Sequence, residues 1–164
     1  MVATCTSQTS VKICENQSFE WYFATDDTSK IVFQTTYDNA DTSWCRYDTI
    51  IGNSIKAVAK LYTSYNLVSI DGDTNVSHEK LMLDVHKKPD ASVTISGLFL
   101  NIEMNPYCKQ LEIVERDDNT ILSKMSWETP PENMHLELAP GNYYAIFTDN
   151  SGANCQKIIP VKIN

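Results

Sequence analysis

"LELAPGNYYAIFTDNSGANC", residues 136–155, decides how the rest of the chain is read. It parses as a strand, a Pro-Gly corner, an aromatic strand, a polar hairpin tip and a cysteine. A strand buried on one face alternates apolar and polar side chains with a period of two. Tyr143, Ala145 and Phe147 already supply one apolar face, yet Tyr144 and Ile146 are apolar at the opposite parity. A strand with apolar side chains on both faces calls for protein on both sides.

Outward from that hairpin, almost every segment reads as strand, with short β-branched and aromatic runs between Asp/Asn/Ser/Gly clusters. Beyond the charged, Pro-containing "HKKPD" (86–90), seven such runs follow, at about 91–96, 98–104, 109–116, 120–127, 133–138, 142–149 and 155–163. Their spacing predicts a sandwich rather than a parallel sheet with crossover helices.

The first half carries "SFEWYFA" (18–24) and "KIVFQTTY" (30–37), joined by a polar stretch that predicts a hairpin between them. "WCRYDTII" (44–51), "YNLVSI" (65–70) and "EKLMLDV" (79–85) continue the pattern. In "NSIKAVAKLYTSY" (53–65), Ile55, Val58, Ala59 and Tyr62 fit helical spacing, while Ile55, Ala57, Ala59 and Leu61 alternate as a strand would. The β-rich surroundings favour the strand. The expected organisation is therefore all-β in two parts: a β-rich unit at 1–88 and a sandwich at 89–164.

Leu138-Ala139-Pro140-Gly141-Asn142-Tyr143, then Thr148-Asp149, Gly152 and Cys155, resembles the closing hairpin of immunoglobulin-like modules. Similar modules recur in bacterial surface proteins and on bacteriophage particles, with the rough pattern L-x-P-G-x-Y-x-V-x-V-T-D-x-x-G-C. Two extra residues, Ala153 and Asn154, depart from it. The resemblance implies an immunoglobulin-like β-sandwich. Pro140 and Gly141 would turn the chain at the sandwich edge, and Tyr143 would bury its ring while its hydroxyl bonds backbone at the corner.

An inward Tyr143 sets the register. Ala145, Phe147, Ile159, Val161 and Ile163 then also face the core, and Tyr144, Ile146, Ile158 and Pro160 share the opposite face. Large apolar side chains gathered outside form an unusual patch, because burying each is worth about 1.5–3 kcal/mol. Either residues 1–88 pack over this face or another subunit does. These four residues are the candidate interface.

The net charge is −8, with acidic residues outnumbering basic ones 12 to 8 in residues 1–90 and 9 to 5 in residues 91–164. Nucleic acid and anionic lipid both need local Lys/Arg stripes, and the only adjacent basic pair is Lys87-Lys88. The expected partners are therefore proteins, whether capsid or virion subunits or copies of this chain, and neither nucleic-acid binding nor membrane insertion is expected. "MVATCTSQTSVKIC" (1–14) has neither the basic start nor the apolar run of a signal peptide. Cys5, Cys14, Cys45, Cys108 and Cys155 are odd in number and widely spaced. That favours free buried thiols in a reducing cytoplasm, with Cys5–Cys14 and Cys108–Cys155 as the alternative pairings.

No catalytic or metal-binding constellation emerges, and no cofactor is expected. "DGDTNVSHEKLM" (71–82) starts like a calcium loop, but Val76 stands where the glycine belongs and Met82 where the closing Glu belongs. A turn between strands is the simpler reading. His78, His86 and His135 share no metal-like spacing with the cysteines, and His135 alternates outward. Trp21, Trp44 and Trp127 could form a sugar-stacking platform, but on strands they belong more often to a core or interface. Asn16-Gln17-Ser18 and Asn75-Val76-Ser77 fit the N-glycosylation pattern.

The expected function is that of a non-enzymatic structural or binding protein. Its most concrete form, implied by the resemblance, is an auxiliary or decoration protein of a bacteriophage capsid or virion, made in the host cytoplasm. The alternative is a cell-surface or secreted adhesion module that binds a glycan or protein.

Overall fold

The computed structural model describes residues 7–22, 30–37, 43–50, 54–60, 63–71 and 74–164. All regular structure in them is strand. The chain divides into two compact units, Met1–Val85 and His86–Asn164.

The second unit has seven strands: β8 (Ala91–Ser96), β9 (Phe99–Met104), β10 (Gln110–Glu115), β11 (Ile121–Ser126), β12 (Asn133–Glu137), β13 (Gly141–Thr148) and β14 (Gln156–Ile163). They form a three-stranded sheet, β12-β9-β8, and a four-stranded sheet, β11-β10-β13-β14. Both sheets feed one core. Leu100 and Ile102 come from the first sheet, and Leu111, Ile113, Ala145, Phe147, Val161 and Ile163 from the second, all almost wholly buried. Each strand places these residues at alternate positions, as a half-buried pleat requires. The three-plus-four split, with the chain changing sheet between β9 and β10, between β11 and β12 and between β12 and β13, is an immunoglobulin-like sandwich.

The β8–β9 hairpin closes through Gly97-Leu98, between paired Ser96 and Phe99. Gly97 takes φ +61 at the first central position, the conformation that a two-residue type II′ turn reserves for glycine.

The described residues of the first unit also form seven strands: β1 (Ser7–Cys14), β2 (Ser18–Tyr22), β3 (Lys30–Tyr37), β4 (Ser43–Ile50), β5 (Ser54–Val58), β6 (Thr63–Asp71) and β7 (Thr74–His86, whose last residue falls in the second unit). They form the sheets β1-β7-β6-β3-β4 and β2-β5. Ile13, Tyr65, Leu67, Leu81 and Leu83 make its core, with Phe19, Trp21, Ile55 and Val85 packed against them. The Phe19 and Tyr65 rings lie 5.7 Å apart, tilted by 55°, a geometry favoured by aromatic quadrupoles.

Seven positions along, the strand path repeats. The order β7-β6-β3-β4 corresponds to β14-β13-β10-β11, and β2-β5 to β9-β12. Only the first strand differs: β1 joins β7 in the larger sheet, whereas β8 joins β9 in the smaller one.

Two expectations for the first half need correction. β2 and β3 do not form a hairpin. Both edges of β3 are taken by β4 and β6, so β2 pairs with β5 in the other sheet. The strand Ser7–Cys14 was not foreseen at all. The ambiguous segment 53–65 resolves into β5 and the start of β6, with no helix in its described residues. Of the calcium-like stretch, Asp71 ends β6 and pairs with Thr74, and residues 74–82 belong to β7.

Candidate functional site: the outer face of the four-stranded sheet

The site starts at the corner that sets its register. Tyr143 is 3% exposed, and its hydroxyl donates to the Ala139 carbonyl at 2.9 Å, a tyrosine corner. The reason for Gly141 differs from the one expected. It does not take a left-handed turn conformation; it begins β13. A Cβ there would lie 2.6 Å from the Tyr143 hydroxyl and 2.8 Å from Cζ. Gly141 is the space that the tyrosine occupies.

With Tyr143 inward and opposite Val161, the next residues point out in register: Tyr144 faces Pro160, and Ile146 faces Ile158. The sheet extends both rows. Tyr144 pairs with Val114 on β10, and Val114 with Ile121 on β11. Ile146 pairs with Glu112, and Glu112 with Lys124. An apolar row, Ile121–Val114–Tyr144–Pro160, therefore crosses all four strands beside Ile146–Ile158. Directly opposed side chains of this kind interact at about 0.2–1 kcal/mol per pair.

Exposure along the band is graded. Ile158 is 49% exposed and Ile121 53%, Pro160 is exposed, and Tyr144 and Ile146 are half-buried. The rim is charged. Lys124 Nζ lies 2.7 Å from Glu112 Oε1, and the Arg116 guanidinium sits 5.3 Å from the centre of the Tyr144 ring, within cation–π range. A greasy centre with a charged rim is the usual anatomy of a protein contact surface.

Sequence reasoning missed Val114 and Ile121. Leu111 and Ile113 alternate inward, so an apolar residue at 114 is out of phase, the same signal that singled out Tyr144. A register shift between Ile113 and Val114 in the pairing with β11 hides where Ile121 falls.

The expectation of free buried thiols fails at two of the described cysteines. Cys14 and Cys155 are disulfide-bonded. Cys108 is a free buried thiol, which rules out Cys108–Cys155. Burial pushes the Cys108 thiol up, and its Sγ approaches the Asp90 carbonyl and Asn105 Oδ1 at 3.4 Å each. Cys5 and the side chain of Cys45 lie outside the described residues.

The remaining candidates fall into place as structure. Trp127 and Trp21 pack against the cores of their own units, and the side chain of Trp44 lies outside the described residues. His135 is exposed, with Nδ1 2.6 Å from Asn101 Oδ1. Asp118 sits in the β10–β11 turn, where its carboxylate accepts the Thr120 N–H at 2.9 Å; that bond holds it below the usual carboxylate range. Asn16 is exposed in the β1–β2 turn with φ 64. Among the described residues, no group of three or more His, Cys, Asp or Glu could hold a metal ion. Among the described residues, no helix is long and apolar enough to cross a membrane.

No protein-family model matches this sequence, and no curated protein matches it. Three solved structures align with the chain at low identity. The extracellular portion of mouse CD200RLa aligns at TM-score 0.46 and 8% identity, over 96% of this chain and 100% of that one. The N-terminal four Ig domains of Dscam1 isoform 6.9 align at TM-score 0.43 and 10% identity, over 100% of this chain. This chain spans 45% of that structure's length. Clostridium thermocellum CbhA fibronectin(III)-like modules align at TM-score 0.37 and 13% identity, over 99% and 92% of the two chains.

Proposed function

We propose that this chain is a non-enzymatic recognition protein, two immunoglobulin-like modules in tandem, that grips a protein partner through the outer face of β11-β10-β13-β14. The observation that carries this reading is the outward register of Tyr144–Pro160 and Ile146–Ile158, continued by Val114 and Ile121 across the sheet. A sheet face exposed to water alone would alternate to polar side chains there.

Disulfide bonding at Cys14 and Cys155 supports work in an oxidising compartment. A secreted or cell-surface adhesion module is accordingly the favoured form. The second form, an auxiliary protein of a bacteriophage particle, draws support from the band itself, since an apolar strip crossing four strands suits a permanent subunit contact.

Site-specific photo-crosslinking in the native source tests the reading. A crosslinker at Ile158 should capture one protein partner, whereas one at Glu103, on the opposite sheet, should not. Capture from the cell envelope favours the first form and capture from virus particles the second. Equal yields at both positions, or none at Ile158, would defeat the proposal.

A further inference from the structure

We infer that the tip of the β13–β14 hairpin carries a second site, separate from the protein-facing band, that takes a neutral carbohydrate. Gln110, Thr148 and Gln156 form one row across the ends of β10, β13 and β14. The tip joins Asp149, Asn150 and Asn154 to that row, and together they line a groove of about 460 Å³ with Gly152 at its edge. This is within the size range of small-molecule sites, roughly 300–1,000 Å³.

The lining chemistry selects the ligand. No Lys or Arg lines the groove, so it offers no charge to a phosphate or carboxylate. Its single carboxylate is already engaged: Asp149 Oδ1 accepts the Ser151 N–H at 3.3 Å, and Oδ2 accepts the Ser151 hydroxyl. One occupied carboxylate does not make a divalent-cation site, which needs several oxygen ligands. Gln110 is engaged as well, its Nε2 donating to Glu112 Oε1 at 3.0 Å and its Oε1 accepting from the Ser126 hydroxyl at 3.5 Å, which leaves the side-chain amides of Asn150, Asn154 and Gln156. Each presents an acceptor oxygen beside a donor NH₂. That pairing complements vicinal sugar hydroxyls, which donate and accept in turn.

The tip is also held in shape. Asn150 and Asn154 take left-handed φ values of 57° and 55°. The Ala153 N–H donates to Ser151 Oγ at 3.1 Å, and the Asp149 N–H to the Cys155 carbonyl at 3.2 Å. Disulfide-bonded, buried Cys155 anchors the base. Such preorganisation lowers the ordering cost of binding.

The test is a titration of the isotope-labelled full chain with maltose, lactose, cellobiose and chitobiose, followed by NMR. At least one should shift the amide signals of Gln110 and residues 148–156 saturably, with Kd on the order of 1 mM, as expected for a sugar-sized ligand in an open groove. Asn154→Ala and Gln156→Ala, both at exposed positions, should each weaken binding about tenfold or more, the loss expected when a buried partner hydroxyl goes unpaired. Lys162→Ala, at the far end of the sheet, should leave it unchanged. The inference is overturned if no disaccharide shifts these signals up to roughly 50 mM, well above that Kd, if the two groove variants bind as the wild type does, or if inorganic phosphate binds there instead. None of these results bears on crosslinking at Ile158, so the two proposals fail separately.

Discussion

The two units run the same strand path with different corners. In the second, β13 enters through Pro140-Gly141 and seats Tyr143 under the Ala139 carbonyl. In the first, β6 enters through Thr63, and Tyr65, also the third residue of its strand, is buried against Phe19. Two residues on, where an antibody domain carries the second cysteine of its inter-sheet disulfide, this chain has Ala145 and Leu67, each 0% exposed. The sandwich therefore needs neither the Pro-Gly corner nor the inter-sheet cysteine pair. What both units share is inward alternation on paired strands and a chain that, from the second strand on, changes sheet at the same steps. The corner motif adds stability and register to a fold that alternation and connectivity already specify.

The sharpest way to break this comparison is to hollow each core at its centre. Phe147→Ala is expected to cost about 3–5 kcal/mol, and Leu67→Ala about 2–5 kcal/mol, by lost burial and the cavity left behind. Hydrogen exchange measured by mass spectrometry should show the first loss in the strands of the second unit and the second in those of the first. Uniform loss across both units from either variant would show that they unfold as one body.

Next in size is reduction. Among the described residues, Cys14 and Cys155 are disulfide-bonded. Opening such links typically costs about 2–4 kcal/mol, read as a lower denaturant midpoint with reductant present. Alkylation mapping supplies the control. Without reductant, Cys14 and Cys155 should stay unlabelled, and Cys108, free but 0% exposed, should label only on unfolding. Ready native labelling of Cys14 and Cys155 would refute the oxidised state and with it the support for an extracellular role.

The corner itself comes third. Gly141→Ala places a methyl 2.6 Å from the Tyr143 hydroxyl and should cost about 1–3 kcal/mol through overpacking. Tyr143→Phe, which deletes the bond to Ala139, should cost about 0.5–1.5 kcal/mol. Because the two changes share one space, the double variant should be less destabilised than the sum. Additivity in urea unfolding would mean that the glycine serves the backbone rather than the ring.

Legibility followed the same divide. Every strand of the second unit was readable in sequence to within about a residue, because inward residues such as Leu111, Ile113, Ala145 and Phe147 alternate without interruption. In the first unit the strands other than β1 were readable but their partners were not. Nothing local in "SFEWYFA" says that the chain changes sheet before β3, and sequence neighbours pair by default. β1, "SQTSVKIC", offers only Val11 and Ile13 as alternating apolar residues before its cysteine, too little to stand out among polar neighbours. Half of the outer band could be read from parity on β13 and β14. Val114 and Ile121 could not, because a bulge breaks the count. The amide groove needed the tip to fold back over Gln110, which lies 46 positions from Gln156 in the chain.

The smallest expected effect concerns where the second unit begins. Lys157 on β14 pairs with Asp90 just before β8, tying the entry of the first strand to the last. That hydrogen bond, with the lysine charge, holds the Asp90 carboxyl below its ordinary value of 3.8. A carboxylate with a depressed folded pKa favours the folded state above its unfolded pKa, and that contribution disappears as pH falls through the folded value. Asp90→Asn should therefore be less stable than the wild type near neutrality and indistinguishable from it in strong acid. Both partners are substantially exposed, at 40% and 71%, so the gap should be a few tenths of a kcal/mol, as for other surface pairs, and should shrink in salt. A gap that persisted below the folded pKa would instead assign the role of Asp90 to its backbone, whose carbonyl accepts the Asn105 N–H at 2.9 Å.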